Sequence, residues 1–182
     1  MDRLLTAPPT QTTSKLSSMK PTAPFTAILL ALVIGTASAN SAETAPAAPA
    51  AAPSTPITFE LSVNDSTMKF SLAKMQAHPG QSITVRLKNT GALPKDAMGH
   101  NWVLLKAGAD LDAYAAAAAT AKPEGFLPKA LADQVLATIP LLGPGETGEV
   151  TFTCPTKPGT YNYLCTFPAH AMLGMKGVLT VK

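Results

Sequence analysis

Apolar and polar residues alternate along Ile57-Thr-Phe-Glu-Leu-Ser-Val63 and again along Ser82-Ile-Thr-Val-Arg-Leu-Lys88. A period of two sends successive side chains to opposite faces, so both segments read as half-buried β-strands. Trp102-Val-Leu-Leu105 is apolar without a break, the pattern of a strand covered on both faces. Glu149–Thr153, Thr160–Leu164 and Val178–Lys182 complete a set of short segments rich in Val, Thr, Tyr and Phe. Turn residues such as His78-Pro79-Gly80 and Lys157-Pro158-Gly159-Thr160 punctuate them at short intervals, as in an all-β sandwich or barrel.

One stretch, Ala109 to Val135, breaks the pattern. Asp110 stands ready to cap a helix through Ala113-Tyr-Ala-Ala-Ala-Ala-Ala119, which Pro123-Glu124-Gly125 would end. A second short helical stretch is predicted from Pro128 to Val135. A single helical excursion among strands suggests a flap packed outside the sandwich. No internal repeat is visible.

Upstream of Ile57 the periodicity is lost. Met19 to Ala39 reads as a secretory signal, with Lys20 as its positive start, Ala23–Ile34 as its apolar run and Ala37-Ser38-Ala39 as its cleavage site. The run is short for a membrane span, so no membrane insertion of the mature form is expected. Residues 1–18 form a polar extension, and Met1 and Met19 stand as alternative starts. Residues 40–56 form an Ala/Pro-rich linker with nothing large to bury, and no cysteine at the cleavage site could accept a lipid. Residues 57–182 remain as one domain, large enough for a core without disulfides. The formal net charge is +3. Arg3, Lys15 and Lys20 against Asp2 account for most of it, and the remaining charge of about +1 gives no reason to expect nucleic acid or an anionic membrane.

Candidate chemistry gathers near the C-terminal end. Cys165, His170 and Met175 follow one another at equal spacing, with Gly174 able to bend the chain between them and the last strand. Far upstream, Gly99-His100-Asn101-Trp102 offers a second imidazole. Two His and one Cys with a weak axial Met are the donors of a blue-copper electron-transfer site, and the soft sulfurs favour copper. Taken singly, Cys165 reads as a structural cysteine and His100 as a buried histidine beside Trp102; the combination points to metal. Met172 competes with Met175 for the axial place. Met172 would project onto the rim, whereas Met175 stands where the loop re-enters the body and is preferred. Phe167, Pro168, Ala169, Ala171, Met172 and Leu173 surround His170 with apolar residues. That predicts a partly exposed imidazole in a patch suited to brief redox docking. His78 reads as a turn histidine. If the strands flanking 157–160 pair as a hairpin, Cys154 and Cys165 lie diagonally, near the limit of disulfide reach, and Cys154 is then a lone buried thiol.

Leu93-Pro-Lys-Asp-Ala-Met-Gly-His-Asn-Trp-Val-Leu104 and Tyr163-Leu-Cys-Thr-Phe-Pro-Ala-His170 resemble segments of the azurins, bacterial members of the cupredoxin (type 1 blue copper) family. The similarity runs from about Asn64 to Lys182. It implies a cupredoxin-like Greek-key β-sandwich, with 109–135 matching the azurin flap. By the same resemblance His100, Cys165 and His170 are equatorial copper ligands, Met175 is axial, and Gly99 offers a distant carbonyl opposite it. Asn101 and Thr166 would tie the two ligand segments together. Met98, Phe167, Pro168, Ala169 and Met172 would form the docking patch. Three departures stand out. The N-terminal disulfide of azurins has no cysteines here, with Leu61 and His78-Pro79 in its place. Four residues instead of three separate His170 from Met175, as in auracyanin and plastocyanin. The position of azurin's pH-responsive histidine is Asn89.

These features imply a periplasmic one-electron carrier that is not an enzyme, since a saturated ligand set leaves no open position for substrate. Its partners, by resemblance, would be a cytochrome c and a terminal reductase or oxidase. A copper storage or delivery protein is the alternative, and an exported β-sandwich with incidental His and Cys is the third reading.

Overall fold

The computed structural model describes residues 55–182. The expected extension and signal, 1–39, and the linker as far as Ser54 lie outside the described residues. Eight strands follow in chain order: β1 Ile57–Val63, β2 Lys74–Ala77, β3 Ser82–Asn89, β4 His100–Leu105, β5 Val135–Leu142, β6 Thr147–Thr153, β7 Gly159–Leu164 and β8 Lys176–Val181. Two helices join them, the four-residue α1 Lys95–Met98 and the longer α2 Leu111–Ala119.

The strands form two sheets, one ordered β1-β3-β6 and the other β2-β8-β7-β4-β5. β1 runs parallel to β3 and β2 parallel to β8, while the other pairs are antiparallel. The alternation read in β3 is what the fold buries: Ile83, Val85 and Leu87 face inward and are fully covered, while Arg86 and Lys88 face out. Across from them Trp102, Leu104, Tyr163 and Leu179 supply the other half of the core. Burying such side chains fully contributes about 1.5–3 kcal/mol each.

β4 is buried along its whole length, as its unbroken apolar run predicts. Trp102 and Leu104 point into the core between the sheets. Val103 and Leu105 point the other way, into a second apolar cluster with Tyr114, Ala118 and Leu164. Tyr114 and Ala118 are one helical turn apart on α2, so the flap lies over the outer face of β4 and β7. Asp110 caps α2 as expected, its Oδ1 accepting from the amides of Asp112 and Ala113 at 3.0 Å.

Several expectations need correction. α2 ends at Ala119, where the expected helix does, but Pro123-Glu124-Gly125 is not its stop: Lys122–Glu124 form a separate 3₁₀ turn, which Gly125 caps. The predicted helix from Pro128 to Val135 is a kinked 3₁₀ turn at Lys129–Gln134, and Val135 already begins β5. β5 shows no clean period in the sequence because Pro140 interrupts its apolar run. Pro is tolerated there because β5 is an edge strand with a register shift nearby. β2 is a four-residue edge strand, too short to show a period. Finally, the strands flanking 157–160 do not form a hairpin. β6 belongs to one sheet and β7 to the other. Cys154 and Cys165 are both free and buried, and Cys154 lies in the core.

Candidate metal centre

Two separate stretches of backbone bring the candidate donors to one end of the sandwich, one at the start of β4 and one between β7 and β8. α1 leads through Gly99 into His100, the first residue of β4. His100 pairs with Leu142 and Trp102 with Ile139, so the ladder is irregular between them. Such irregularities re-aim side chains at strand ends. Gly99 is closed in, for a Cβ there would lie 2.5 Å from the Lys95 carbonyl and 2.7 Å from Leu141 Cγ.

β7 ends at Leu164 and delivers Cys165. The chain then loops through His170 and returns at Met175 to begin β8. Met175 closes the loop with its own backbone: its carbonyl accepts from Cys165 N at 3.0 Å and its amide donates to His170 O at 2.9 Å. The intervening turn needs left-handed backbone at Ala169, φ 69°, and at Gly174, φ 102°. Only the first of these is unfavourable, since glycine adopts that region freely.

The ligand atoms of His100, Cys165 and His170 all lie within 4.8 Å of one another, and all three residues are buried. Cys165 Sγ is 3.4 Å from His170 Nδ1. Metal–nitrogen and metal–sulfur bonds of about 2.0–2.3 Å place trigonal ligands roughly 3.5–4 Å apart, so the spacing suits a shared ion. The two imidazoles lie with centroids 4.9 Å apart. Met175 is completely buried, whereas Met172 is 84% exposed. That contrast favours Met175 for the axial place.

His100 carries a second signal. The ring is wholly buried, yet neither nitrogen has a hydrogen-bond partner. An unsatisfied buried polar group costs about 1–3 kcal/mol, and native structures tolerate few of them. A metal on one nitrogen accounts for part of that cost. The donor set fits copper on chemistry as well: one thiol, two imidazoles and a thioether combine soft and borderline donors.

Burial sets the protonation states. It pushes the Cys165 thiol up to about 11, against the opposing pull of the Asn101 and Phe167 amides. It brings His170 down to about 4, helped by His100 nearby, and it lowers His100 against the opposing pull of Asp65. Both imidazoles are therefore neutral at pH 7 and free to bind metal, while the thiol must release its proton on binding.

Asn101 and Thr166 lock the two segments together. Asn101 Nδ2 donates to Thr166 Oγ1 at 2.6 Å, and Thr166 N donates to Asn101 Oδ1 at 2.7 Å. Both residues are buried.

Residues 57–182 match the family described as "Copper binding proteins, plastocyanin/azurin family". The chain belongs to that family. It is 37% identical over 127 residues to auracyanin-A of Chloroflexus aurantiacus, covering 69% of this chain and 75% of the relative. It is 42% identical over 101 residues to azurin of Bordetella pertussis, covering 54% of this chain and 66% of the azurin. Among solved structures, reduced auracyanin of Roseiflexus castenholzii aligns with a TM-score of 0.61 at 38% identity, covering 72% of this chain and 99% of the other. Copper is the family's cofactor, and its blue copper proteins are electron carriers rather than enzymes.

Two site expectations change. His170 is only 3% exposed, so its imidazole is not the partly exposed edge anticipated. The Phe167 ring packs against it at a tilt of 35°, centroids 4.7 Å apart, and Phe126 of the flap region packs against Phe167 at a tilt of 60°. The expected patch is uneven: Ala169 and Met172 are exposed, while Met98, Phe167 and Pro168 are half-buried. His78 is distant from the donors in role, its Nδ1 lying 3.0 Å from the Lys182 carbonyl. Asn89 is buried and engaged on both ends, with Leu142 O and Gly91 N. Leu61 is a core residue. Sequence reading missed Asp65, which lies 3.7 Å from His100 Nε2. The only hint was Asn64-Asp-Ser-Thr67, a turn sequence of side chains that bond their own backbone.

Proposed function

We propose that the protein carries single electrons on a type 1 copper, with His100, Cys165 and His170 as equatorial ligands and Met175 as the axial one. The observation that carries this reading is the convergence of one buried thiol and two buried neutral imidazoles, one of them without any hydrogen-bond partner. Copper held by these residues would supply a one-electron Cu(II)/Cu(I) couple. The chain's task is to keep the donors in one place for both states, and the Asn101–Thr166 bridge and the Met175 backbone bonds serve that end. Gly99 would present its carbonyl opposite Met175. Burial of every donor keeps water from the site, which suits a carrier and leaves no position for a substrate.

Electrons would leave through His170 toward a patch formed by Met98, Phe167, Pro168, Ala169 and Met172. A small apolar surface of this kind supports short-lived encounters. The partners proposed are a cytochrome c on one side and a terminal reductase or oxidase on the other, in the periplasm. Export is supported by the signal-like segment at 19–39. Among the described residues no helix is long and apolar enough to cross a membrane.

Joint optical and EPR spectra of the copper-loaded protein test the reading. An intense blue thiolate-to-Cu(II) band that bleaches reversibly with reductant is expected, and Cys165→Ser should abolish it. A colourless protein that holds only Cu(I) and gives it up readily would instead identify a storage or delivery role.

A further inference from the structure

Asp65 sits in the loop after β1, and that loop is built rigidly. Asn64 Oδ1 accepts from the amides and hydroxyls of Ser66 and Thr67 at 2.9–3.2 Å. Asp65 Oδ2 accepts from the amides of Ala92 at 2.7 Å and Leu93 at 3.1 Å, tying the loop to the segment that leads toward α1. Gly91 presses against the same carboxylate so closely that any Cβ there would collide with it. The other oxygen, Oδ1, is buried and has no hydrogen-bond partner. It faces His100 Nε2, also buried and also without a partner, at 3.7 Å.

An N–H···O bond is best at about 2.9 Å, so the ring needs to move by roughly 0.8 Å to close the gap. One bond would satisfy both orphaned atoms, and a charged acceptor makes it a strong one. We propose that Asp65 is a positioning residue for the metal centre: its Oδ1 takes the Nε2–H of His100, so that Nδ1 is turned toward Cys165 and His170. This rests on His100 being a ligand. A carboxylate on the far nitrogen fixes the tautomer and makes the ligating nitrogen a better donor. Its negative charge also favours the more highly charged Cu(II) state. Asp65 therefore lowers the reduction potential.

The test compares the parent with Asp65→Asn and with Asn64→Ala, which loosens the loop but keeps the carboxylate. Asp65→Asn should weaken Cu(II) binding by about 10–100-fold, with a smaller effect on Cu(I). Each tenfold change in the ratio of the two affinities raises the midpoint by about 59 mV. NMR of the diamagnetic Cu(I) parent should show a His100 Nε2–H that resists exchange, a result that depends on no variant folding. Asn64→Ala should keep the parent's midpoint. An Asp65→Asn protein with parental midpoint and Cu(II) affinity overturns the inference alone. So does a freely exchanging Nε2–H in the parent, or an Asn64→Ala shift as large as that of Asp65→Asn. Failure of the parent to bind Cu(II) overturns both this inference and the reading beneath it.

Discussion

Replacing Asn101 with Ala removes both hydrogen bonds that join the His100 segment to the Cys165 segment. The amide of Thr166 is then left buried with no acceptor, and its hydroxyl loses its donor. A buried group orphaned in this way costs about 1–3 kcal/mol, so the two together give about 3 kcal/mol, with the vacated side-chain volume adding a little. Total stabilities of 5–15 kcal/mol make this a large fraction. Urea unfolding of the metal-free protein should show the midpoint falling with m unchanged. Thr166→Val, which removes only the hydroxyl, should cost about 1–2 kcal/mol. The double variant should be less destabilised than the two singles combined by about 1 kcal/mol, because the orphaned hydroxyl is gone. Repeating the series with copper bound separates two roles. If the bridge preorganises the ligands, Asn101→Ala costs more in the loaded protein than in the metal-free one, and the difference is lost binding energy. The reasoning is refuted if Asn101→Ala stays within about 0.5 kcal/mol of the parent, or if the two single effects simply add.

Four further expectations follow from the same geometry. In the metal-free protein His170 is held neutral, with its pKa lowered from 6.5 to about 4, so the unfolded chain binds more protons in that window. Stability is then complete above pH 6.5 and falls by about 3 kcal/mol by pH 4, with His100 acting in the same direction; unfolding curves that do not change between pH 7 and 4.5 would contradict this. Ala169→Gly relieves a left-handed residue at a cost of about 1–2 kcal/mol but loosens the unfolded chain by about 0.4–1 kcal/mol, so a net gain of about 0.5 kcal/mol is expected by thermal melting, and a loss would mean the methyl packs usefully. Met175→Leu should keep the blue colour and raise the midpoint, while Met172→Leu leaves it unchanged; the reverse result would move the axial assignment. Gly99→Ala should force Leu141 or the Lys95 carbonyl aside, lowering stability by about 1–3 kcal/mol, as urea unfolding would read.

Much of the sandwich was legible because its strands are half-buried. β1 and β3 alternate, and β4 is apolar on both sides because the sheet core covers one face and α2 the other. The same logic fails for elements at the margin. β2 and β5 are edge strands, where one neighbour is missing and Pro140 is allowed, so neither needs a clean period. The turn at 157–160 looks like a hairpin from its residues alone. Only the sheet order shows that the chain crosses there from one layer to the other, since local turn chemistry does not record which sheet the next strand joins.

At the metal centre the division is similar. The identity and spacing of Cys165, His170 and Met175, with His100 upstream, were enough to name donor types and the metal they prefer, because ligand chemistry resides in the side chain itself. Burial was not. His170 stands in an apolar loop on paper, yet Phe167 of the same loop packs against its ring, and Phe126, far away in the chain, packs against Phe167 in turn. The contrast between an exposed Met172 and a buried Met175, which favours Met175, is likewise a property of the packing and not of the loop sequence. Asp65 is the extreme case. It reaches His100 through the packing of two loops, a juxtaposition that no local pattern could record and that tertiary structure alone creates.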